Sequence, residues 1–480
     1  MDKSFFKNVG IIGSSTVLVQ LISIITVPIL TRIYSPADLG FYTTAISISY
    51  IFIGVASLRY EQAIMLPEKF EDSINLAKIS LFFALVLSAL IFFISYFITD
   101  STFVYKIFED RTYLLFAIPV LIIVIKSNEV FHLLLNKLAK FKSNSVINIG
   151  GSIFNRVNSI LFGYIGYNNP FTLIVVHLLG EFLMAVTKMT RVKLIKEFFK
   201  INLLEIKRLL LENKKFPLYD VWSTFFNTLS TQLIPVILAF FTTASVVGYY
   251  SQGLKLIQLP LIFIGGAVSQ VFYQKAVEYF NQEKDLNTLF RQTFLVLFVA
   301  GLFPALLVLI AGDILMPIVL GSEWLEAGVI AQILMPWVFV RFLGSTLSTL
   351  FLVHGKQKLL LRFSTIAMLS RLSLLYVMFQ TFQLNYRIVL LSFSILGLLL
   401  YVYMIFLLFK ISNEKFYAVF KDLKRQFLYA LLFIGPIILL RVLIEKEIIL
   451  FIFIIIASLG YYFYLIRFND VGKKLIKIIK

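Results

Sequence analysis

Apolar positions in this chain run on for twenty residues at a time. Residues 79–98, ISLFFALVLSALIFFISYFI, contain no charged side chain. A helix needs roughly 20 residues, at about 1.5 Å each, to cross the hydrocarbon core of a bilayer. It also satisfies its own backbone hydrogen bonds, which lipid cannot do. Fourteen such runs are predicted, near 9–31, 41–58, 79–98, 113–135, 144–163, 171–187, 219–241, 249–272, 292–311, 329–352, 363–379, 388–409, 426–440 and 448–466. The pattern predicts an all-α integral membrane protein with about 14 transmembrane helices.

One long polar stretch interrupts it, residues 188–218. There Ile195, Phe198, Phe199, Ile206, Leu209 and Leu210 recur at helical spacing between basic residues. That is the pattern of an amphipathic linker helix on the cytoplasmic membrane surface. Six runs precede it, six follow it to about residue 410, and two are appended. The predicted organisation is a six-helix lobe at 1–190, a linker at 191–218, a second six-helix lobe at 219–410, and two further helices with a basic tail at 411–480.

The halves share a phrase. VPILTRIYSPADLGFY, 27–42, and IPVILAFFTTASVVGYY, 234–250, each place a proline in an apolar run, a glycine about a dozen residues later, then an aromatic and a tyrosine. A duplicated six-helix unit in one orientation explains this. Parallel repeats of that kind are a transporter architecture, with the substrate path between the halves.

Charge fixes the orientation. The net charge is +18, yet 33 of the 44 Lys and Arg fall in alternate loops and tails on one side, six on the other and five inside spans. This is a positive-inside pattern. It predicts both termini in the cytoplasm and contact with anionic lipid headgroups rather than nucleic acid. The first apolar run lacks a small-residue cleavage site and reads as a retained span. There is no cysteine, which excludes disulfides and thiolate chemistry.

Several spans carry a polar stripe. The fifth aligns Asn144, Asn148, Ser152, Asn155 and Ser159. The second aligns Thr43, Ser47, Tyr50, Gly54, Ser57 and Glu61, and the eighth aligns Ser251, Lys255, Gln258, Gly265 and Ser269. Stripes in at least five spans suggest a shared wet cavity. A cation at mid-span costs at least about 2.5–3.5 kcal/mol, so it faces a cavity or a partner. Lys126 with Glu129, and His177, Glu181 and Lys188, have partners at helical spacing. Arg156, Lys255, Arg341 and Arg371 have no acid three or four residues away, and Arg371 near a span end is open to snorkelling.

In the internal alignment, Arg32, Arg59 and Lys255 face Ala239, Ala267 and Ser47 of the other copy. The scaffold therefore does not need these cations. Arg32, Arg59, Arg156, Lys255 and Arg341 are the candidate substrate-binding residues, and the cation excess points to an anionic, phosphate-bearing substrate.

No GxxxxGK[ST] loop, no DxD pair and no histidine cluster is present, so neither a catalytic residue nor a bound metal or cofactor is expected. These absences argue against an enzyme.

The stretches ENKKFPLYD, TQLIPVILAFF, VGYYSQGLKLIQLPLIFIGGAVSQVFYQKA, GSEWLEAGVIAQILMPWVFVRFLGSTLSTLFLVHGKQ and LTRIYSPADLGFYTTAISISYIFIGVASLRYEQAIMLP resemble the polysaccharide repeat-unit flippases. That family lies within the multidrug/oligosaccharidyl-lipid/polysaccharide exporter superfamily. The resemblance covers about residues 5–410. It implies two lobes forming a V around a cationic cavity that works by alternating access. It implies undecaprenyl-diphosphate-linked oligosaccharide as substrate, for O-antigen or capsule, at the bacterial inner membrane. A polysaccharide polymerase and a chain-length regulator are the partners it adds. The last two spans look similar to the pair that forms a lipid-tail groove in peptidoglycan-precursor flippases. A proton or sodium ion is the expected driver, with Glu129, Glu181 and Asp220 as carriers. The alternatives are a drug/cation antiporter of the same fold and a membrane glycosyltransferase or polymerase.

Overall fold

The computed structural model describes residues 3–192, 202–443 and 447–469, and no strand occurs among them. Helices α1 (Lys3–Ile33), α2 (Pro36–Ile53), α3 (Phe70–Ile98), α4 (Thr102–Phe108), α5 (Ala117–Lys137), α6 (Phe141–Tyr164) and α7 (Pro170–Val192) come first. Then follow α8 (Leu203–Glu212), α9 (Val221–Phe241), α10 (Ala244–Asn281), α11 (Asn287–Leu320), α12 (Leu325–Leu347) and the short α13 (Thr349–Val353). Last come α14 (Gln357–Gln380), α15 (Tyr386–Ile411), α16 (Phe416–Leu443) and α17 (Glu447–Phe468).

Each of the fourteen apolar runs falls on a helix or helix pair, but fewer qualify as spans. Among the described residues eleven helices are long and apolar enough to cross a membrane, or twelve if the two arms of α10, bent by 46°, count as one. The two that fall short are α2 and α6. Their polar stripes lower the mean hydropathy, because those side chains face protein rather than lipid. The protein is thus a multi-pass membrane protein.

The chain divides into two compact units, Met1–Gly248 and Tyr249–Lys480. The first unit runs past 219 because α9 packs along α2. Gly54 of the α2 end lies against Thr224 and Thr228 of α9. At the opposite end of α2 the repeated phrase meets itself. A Cβ on Gly40 would fall on the Ala244 carbonyl, and one on Gly248 would fall on the Pro36 carbonyl. Pro36 precedes Gly40 by four residues as Ala244 precedes Gly248, so the two contacts are reciprocal. The shared glycines let two helix backbones touch.

Part of the predicted linker, including Ile195, Phe198 and Phe199, lies outside the described residues. The remainder forms α8, capped by the Asn202 side chain. Its apolar edge is not free: Leu209 is buried, and Ile206 and Leu210 pack on a core of Tyr60, Ile64 and Leu76. Arg208 ties the helix down through Asp72 at 2.8 Å.

In the second unit α16 and α17 dock on α11. Tyr461 stacks on Phe303 at 4.4 Å between centroids and donates to the Val299 carbonyl at 3.0 Å. Beyond a kink at Ala311, Asp313 accepts hydrogen bonds from Arg441 of α16 (2.6 Å) and Gln332 of α12 (2.9 Å). Arg441→Ala is expected to destabilise the protein by about 1.5–3 kcal/mol, the range for a hydrogen bond to a charged group. Arg441→Lys should recover part of that. Thermal unfolding of the two variants checks this, and equal melting temperatures for Arg441→Ala and the parent would refute it.

Candidate functional site

The first unit holds a chain of charges within its helices. The turn after α2 carries two consecutive non-glycine residues in the left-handed region, Leu58 at φ 50° and Arg59 at φ 64°. Such a conformation costs roughly 1–2 kcal/mol per residue. It persists where surrounding contacts over-determine it, and such strain clusters at functional sites. Here those contacts are ionic. Arg59 donates to Asp220 at 2.8 Å, at the start of α9, and to Glu61 at 3.2 Å. Glu61, 1% exposed, accepts from Ser57 and pairs with Lys126 at 3.4 Å. Lys126, also 1% exposed, reaches Glu129 at 2.7 Å. The order is Asp220, Arg59, Glu61, Lys126, Glu129.

A second branch lies on α5 and α7. Asn128 donates to Glu181 at 2.6 Å and accepts from the fully buried Lys188 at 2.6 Å. His177 approaches Glu181 at 4.0 Å and hydrogen-bonds Tyr42 at 3.1 Å. Arg156 of α6 donates to Ser23 at 3.0 Å and interacts with Tyr42. Tyr42 closes the repeated phrase, so the phrase both joins α2 to α10 and feeds this cluster.

The predicted site residues therefore fall into different settings. Arg59 and Asp220, assigned to substrate and ion respectively, hold each other. Glu129 and Glu181 each have a partner. Arg156 lies among Ser23 and Tyr42, and among the described residues no carboxylate forms an ion pair with it. Arg32 is exposed and its guanidinium turns back to the Pro28 carbonyl at 2.7 Å. Lys255 is half-buried on α10 and engaged by neighbours. In this unit Arg59, Lys126, Arg156 and Lys188 stand among Glu61, Glu129, Glu181 and Asp220.

Sequence spacing put Ser57 and Glu61 on one stripe, and they do bond, but it gave Glu61 no cationic partner and did not find Asn128. Glu61 was placed in the α2 stripe, but α2 ends at Ile53 and a 3₁₀ turn presents it instead. A carboxylate two residues from a cation, next to a run of small polar residues, was the available signal.

In the second unit, Arg341 of α12 lines a cleft of about 350 Å³ with Gln258, Ser269, Ser345 and Thr346. Gln258, Gly265 and Ser269 are members of the predicted α10 stripe. Arg371 does not snorkel. It sits well inside α14 with its guanidinium over the Trp337 ring at 4.4 Å and Phe393 at 4.9 Å. No group of three or more metal-ligating side chains occurs among the described residues.

The arrangement can bind anions through Arg341 and, once their carboxylates are displaced or neutralised, through the Arg59 network. Comparison with known proteins adds the following. A family model described as "Polysaccharide biosynthesis protein" matches residues 29–329. A solved structure described as "Lipid II flippase MurJ, inward closed conformation" superposes with TM-score 0.75 at 16% identity, over 97% of this chain and 99% of that one. An inward-facing multidrug resistance MATE family transporter of the MOP superfamily superposes with TM-score 0.57 at 14% identity, over 82% of this chain and 94% of that one. No curated protein matches the sequence. The chain has the fold shared by these flippases and transporters.

Proposed function

Since the chain belongs to the polysaccharide biosynthesis protein family, which the model for that family matches over more than half its length, we propose that it is a flippase for undecaprenyl-diphosphate-linked oligosaccharides. It moves repeat units for O-antigen or capsule outward across the bacterial inner membrane by alternating access. The family match is the observation that carries this reading, and the flippase-like fold supports it. The polar head passes through a wet path while the lipid tail stays in the bilayer. A polymerase and a chain-length regulator act on the product.

Arg32, Arg59, Arg156, Lys255 and Arg341 are the cations assigned to the diphosphate and its glycan. A proton or sodium ion resets the cycle through Asp220, Glu129 and Glu181. The Arg59–Asp220 pair suggests how. With Asp220 charged, Arg59 is occupied; with Asp220 neutralised, Arg59 keeps Glu61 alone and can take a phosphate, so the carboxylate and the substrate compete for one guanidinium and ion binding favours substrate binding. A drug/cation antiporter needs a carboxylate available to the drug. Here Glu61, Glu129, Glu181 and Asp220 are each engaged by a cation or an amide, which favours the flippase.

The test is reconstitution with a fluorescent lipid-linked oligosaccharide and a reduction assay for its arrival in the far leaflet. Protein-dependent translocation, made insensitive to ionophores by joint Asp220→Asn, Glu129→Gln and Glu181→Gln substitution, is expected. Translocation of a drug cation in place of the lipid would overturn the reading.

Orientation is tested separately, since a chain without cysteine accepts single reporters. A cysteine replacing Lys207 of α8 should be shielded from an impermeant thiol reagent in intact cells, and one replacing Asn169 should be labelled. The reverse pattern would reject cytoplasmic termini.

A further inference from the structure

The cleft in unit Tyr249–Lys480 has a mixed polar and apolar lining, and among the described residues that lining holds a positive group and no carboxylate. Arg341 is its charged member. The ion pairs of this unit are made elsewhere, by Arg291, Arg387, Arg425 and Arg441, and among the described residues no carboxylate pairs with Arg341. Its guanidinium lies 5.5 Å from the Trp337 ring centroid, the same ring that Arg371 covers at 4.4 Å. Nε and Nη2 of Arg371 and Nε1 of Trp337 are buried with no hydrogen-bond partner. Two guanidiniums on one indole repel each other in a medium that screens poorly. Aromatic faces offset part of that, and an anion beside Arg341 would offset more.

The packing does not require the charge. Arg371 sits against Gly397 of α15, and in the first unit the neutral Asn155 sits against Gly180 of α7 in the same way. Both contacts join the fifth helix of a six-helix copy to the sixth.

The remaining lining indicates what kind of anion fits. Gln258, Ser269, Ser345 and Thr346 are neutral donors and acceptors, and Val338 and Phe342 supply an apolar wall. Thr346 already donates its hydroxyl to the Phe342 carbonyl at 2.7 Å, which leaves its oxygen to accept from a ligand hydroxyl. One planar fork suits one carboxylate bidentately, and hydroxyls and an amide suit a sugar ring. The volume lies at the lower end of small-molecule sites, about 300–1,000 Å³. That is room for a sugar residue and not for a lipid tail.

We infer that this cleft recognises a carboxylate-bearing sugar of the hexuronic acid class, making the protein selective for acidic repeat units. The inference rests on the flippase reading for its biological substrate, but the site itself is testable alone. Purified full-length protein in nanodiscs is titrated with free glucuronate, glucose and inorganic pyrophosphate, followed by calorimetry. Glucuronate should saturate a single site at least tenfold more tightly than glucose. Arg341→Gln and Gly266→Phe should each weaken it at least tenfold, with Arg341→Lys recovering part. Gly266 lines the cleft and a Cβ there meets no atom within 4 Å, so a bulky side chain can be started at this position without a clash at its root. Unchanged glucuronate binding in both variants, or none in the parent, overturns the inference. So does pyrophosphate displacing glucuronate with higher affinity, which would make this a phosphate site.

In proteoliposomes, a lipid-linked oligosaccharide with a hexuronic acid should cross at least tenfold faster than its neutral counterpart. Equal rates overturn the selectivity and leave the flippase reading standing. If neither lipid crosses while glucuronate binding persists, the flippase reading fails and the sugar site stands.

Discussion

Gly248→Leu is expected to leave the membrane nearly empty of folded protein. A Cβ at 248 would fall on the Pro36 carbonyl, and Pro36 Cα is 3.2 Å from the same point. These are backbone atoms, so no rotamer change relieves the clash. The only relief is separation of the start of α2 from the start of α10. That would also break the reciprocal contact, where a Cβ on Gly40 would fall on the Ala244 carbonyl and 3.1 Å from the Gly248 nitrogen. Overpacking in a well-packed interior costs typically 1–3 kcal/mol when side chains can yield. With backbone on both sides the cost should exceed about 4 kcal/mol, beyond most single substitutions. Gly40→Leu should behave alike. Gly150→Ala is the control: nothing lies within 4 Å of its Cβ, and replacing a mid-helix glycine with alanine should stabilise by about 0.5–1 kcal/mol. Membrane abundance and thermal stability of the three variants, measured together, decide the matter. Normal abundance of Gly248→Leu would refute the contact.

Both glycines were visible in the sequence as a repeat, but their meeting was not. Periodicity reveals which residues share a helix face; it does not reveal which helix lies opposite. The all-helical fold was legible because lipid admits long apolar helices and little else. The count of fourteen differs from the eleven or twelve helices that are long and apolar enough by α2 and α6, which show apolar runs in sequence while their polar stripes hold them below the hydropathy of a lipid-facing span. The site was legible in part. Mid-span charges drew attention to Lys126, Glu129, Arg156 and Glu181 because burying them unpaired is costly, and the internal alignment drew attention to Arg59. Their partners were hidden where the chain separation is large: Asp220 lies 161 residues from Arg59. The left-handed turn at Leu58 and Arg59 left no mark at all, because neither residue is one that favours that conformation. Arg371 need not have been misplaced. It stands ninth of the 17 residues in the run 363–379, well away from either end, so the sequence itself already argued against snorkelling.

Arg59→Ala is expected to abolish glycan export while the protein stays near its normal level. Removing this guanidinium frees Asp220, which is 41% exposed and can be hydrated, and Glu61, which keeps Lys126 and Ser57. The left-handed strain at position 59 remains, but alanine carries it no worse than arginine. Folding should therefore survive. Transport should not, if Arg59 grips the diphosphate once Asp220 lets go. A lost charge-assisted hydrogen bond costs about 1.5–3 kcal/mol, or roughly ten- to a hundredfold in binding. Arg59→Lys should restore export in part, keeping the charge and losing the fork. Lys255→Ala should lower export comparably, as the second cation on the proposed path. Asp220→Asn should do the opposite at the binding step, releasing Arg59 so that inorganic pyrophosphate binds more tightly, while export falls because the guanidinium is no longer returned to its carboxylate. Export, membrane abundance and pyrophosphate binding should be measured for all four variants in a deletion strain and as purified protein. Full export by both alanine variants would show that these cations do not hold the substrate. Weaker pyrophosphate binding in Asp220→Asn would show that the ion pair positions Arg59 for the ligand rather than withholding it.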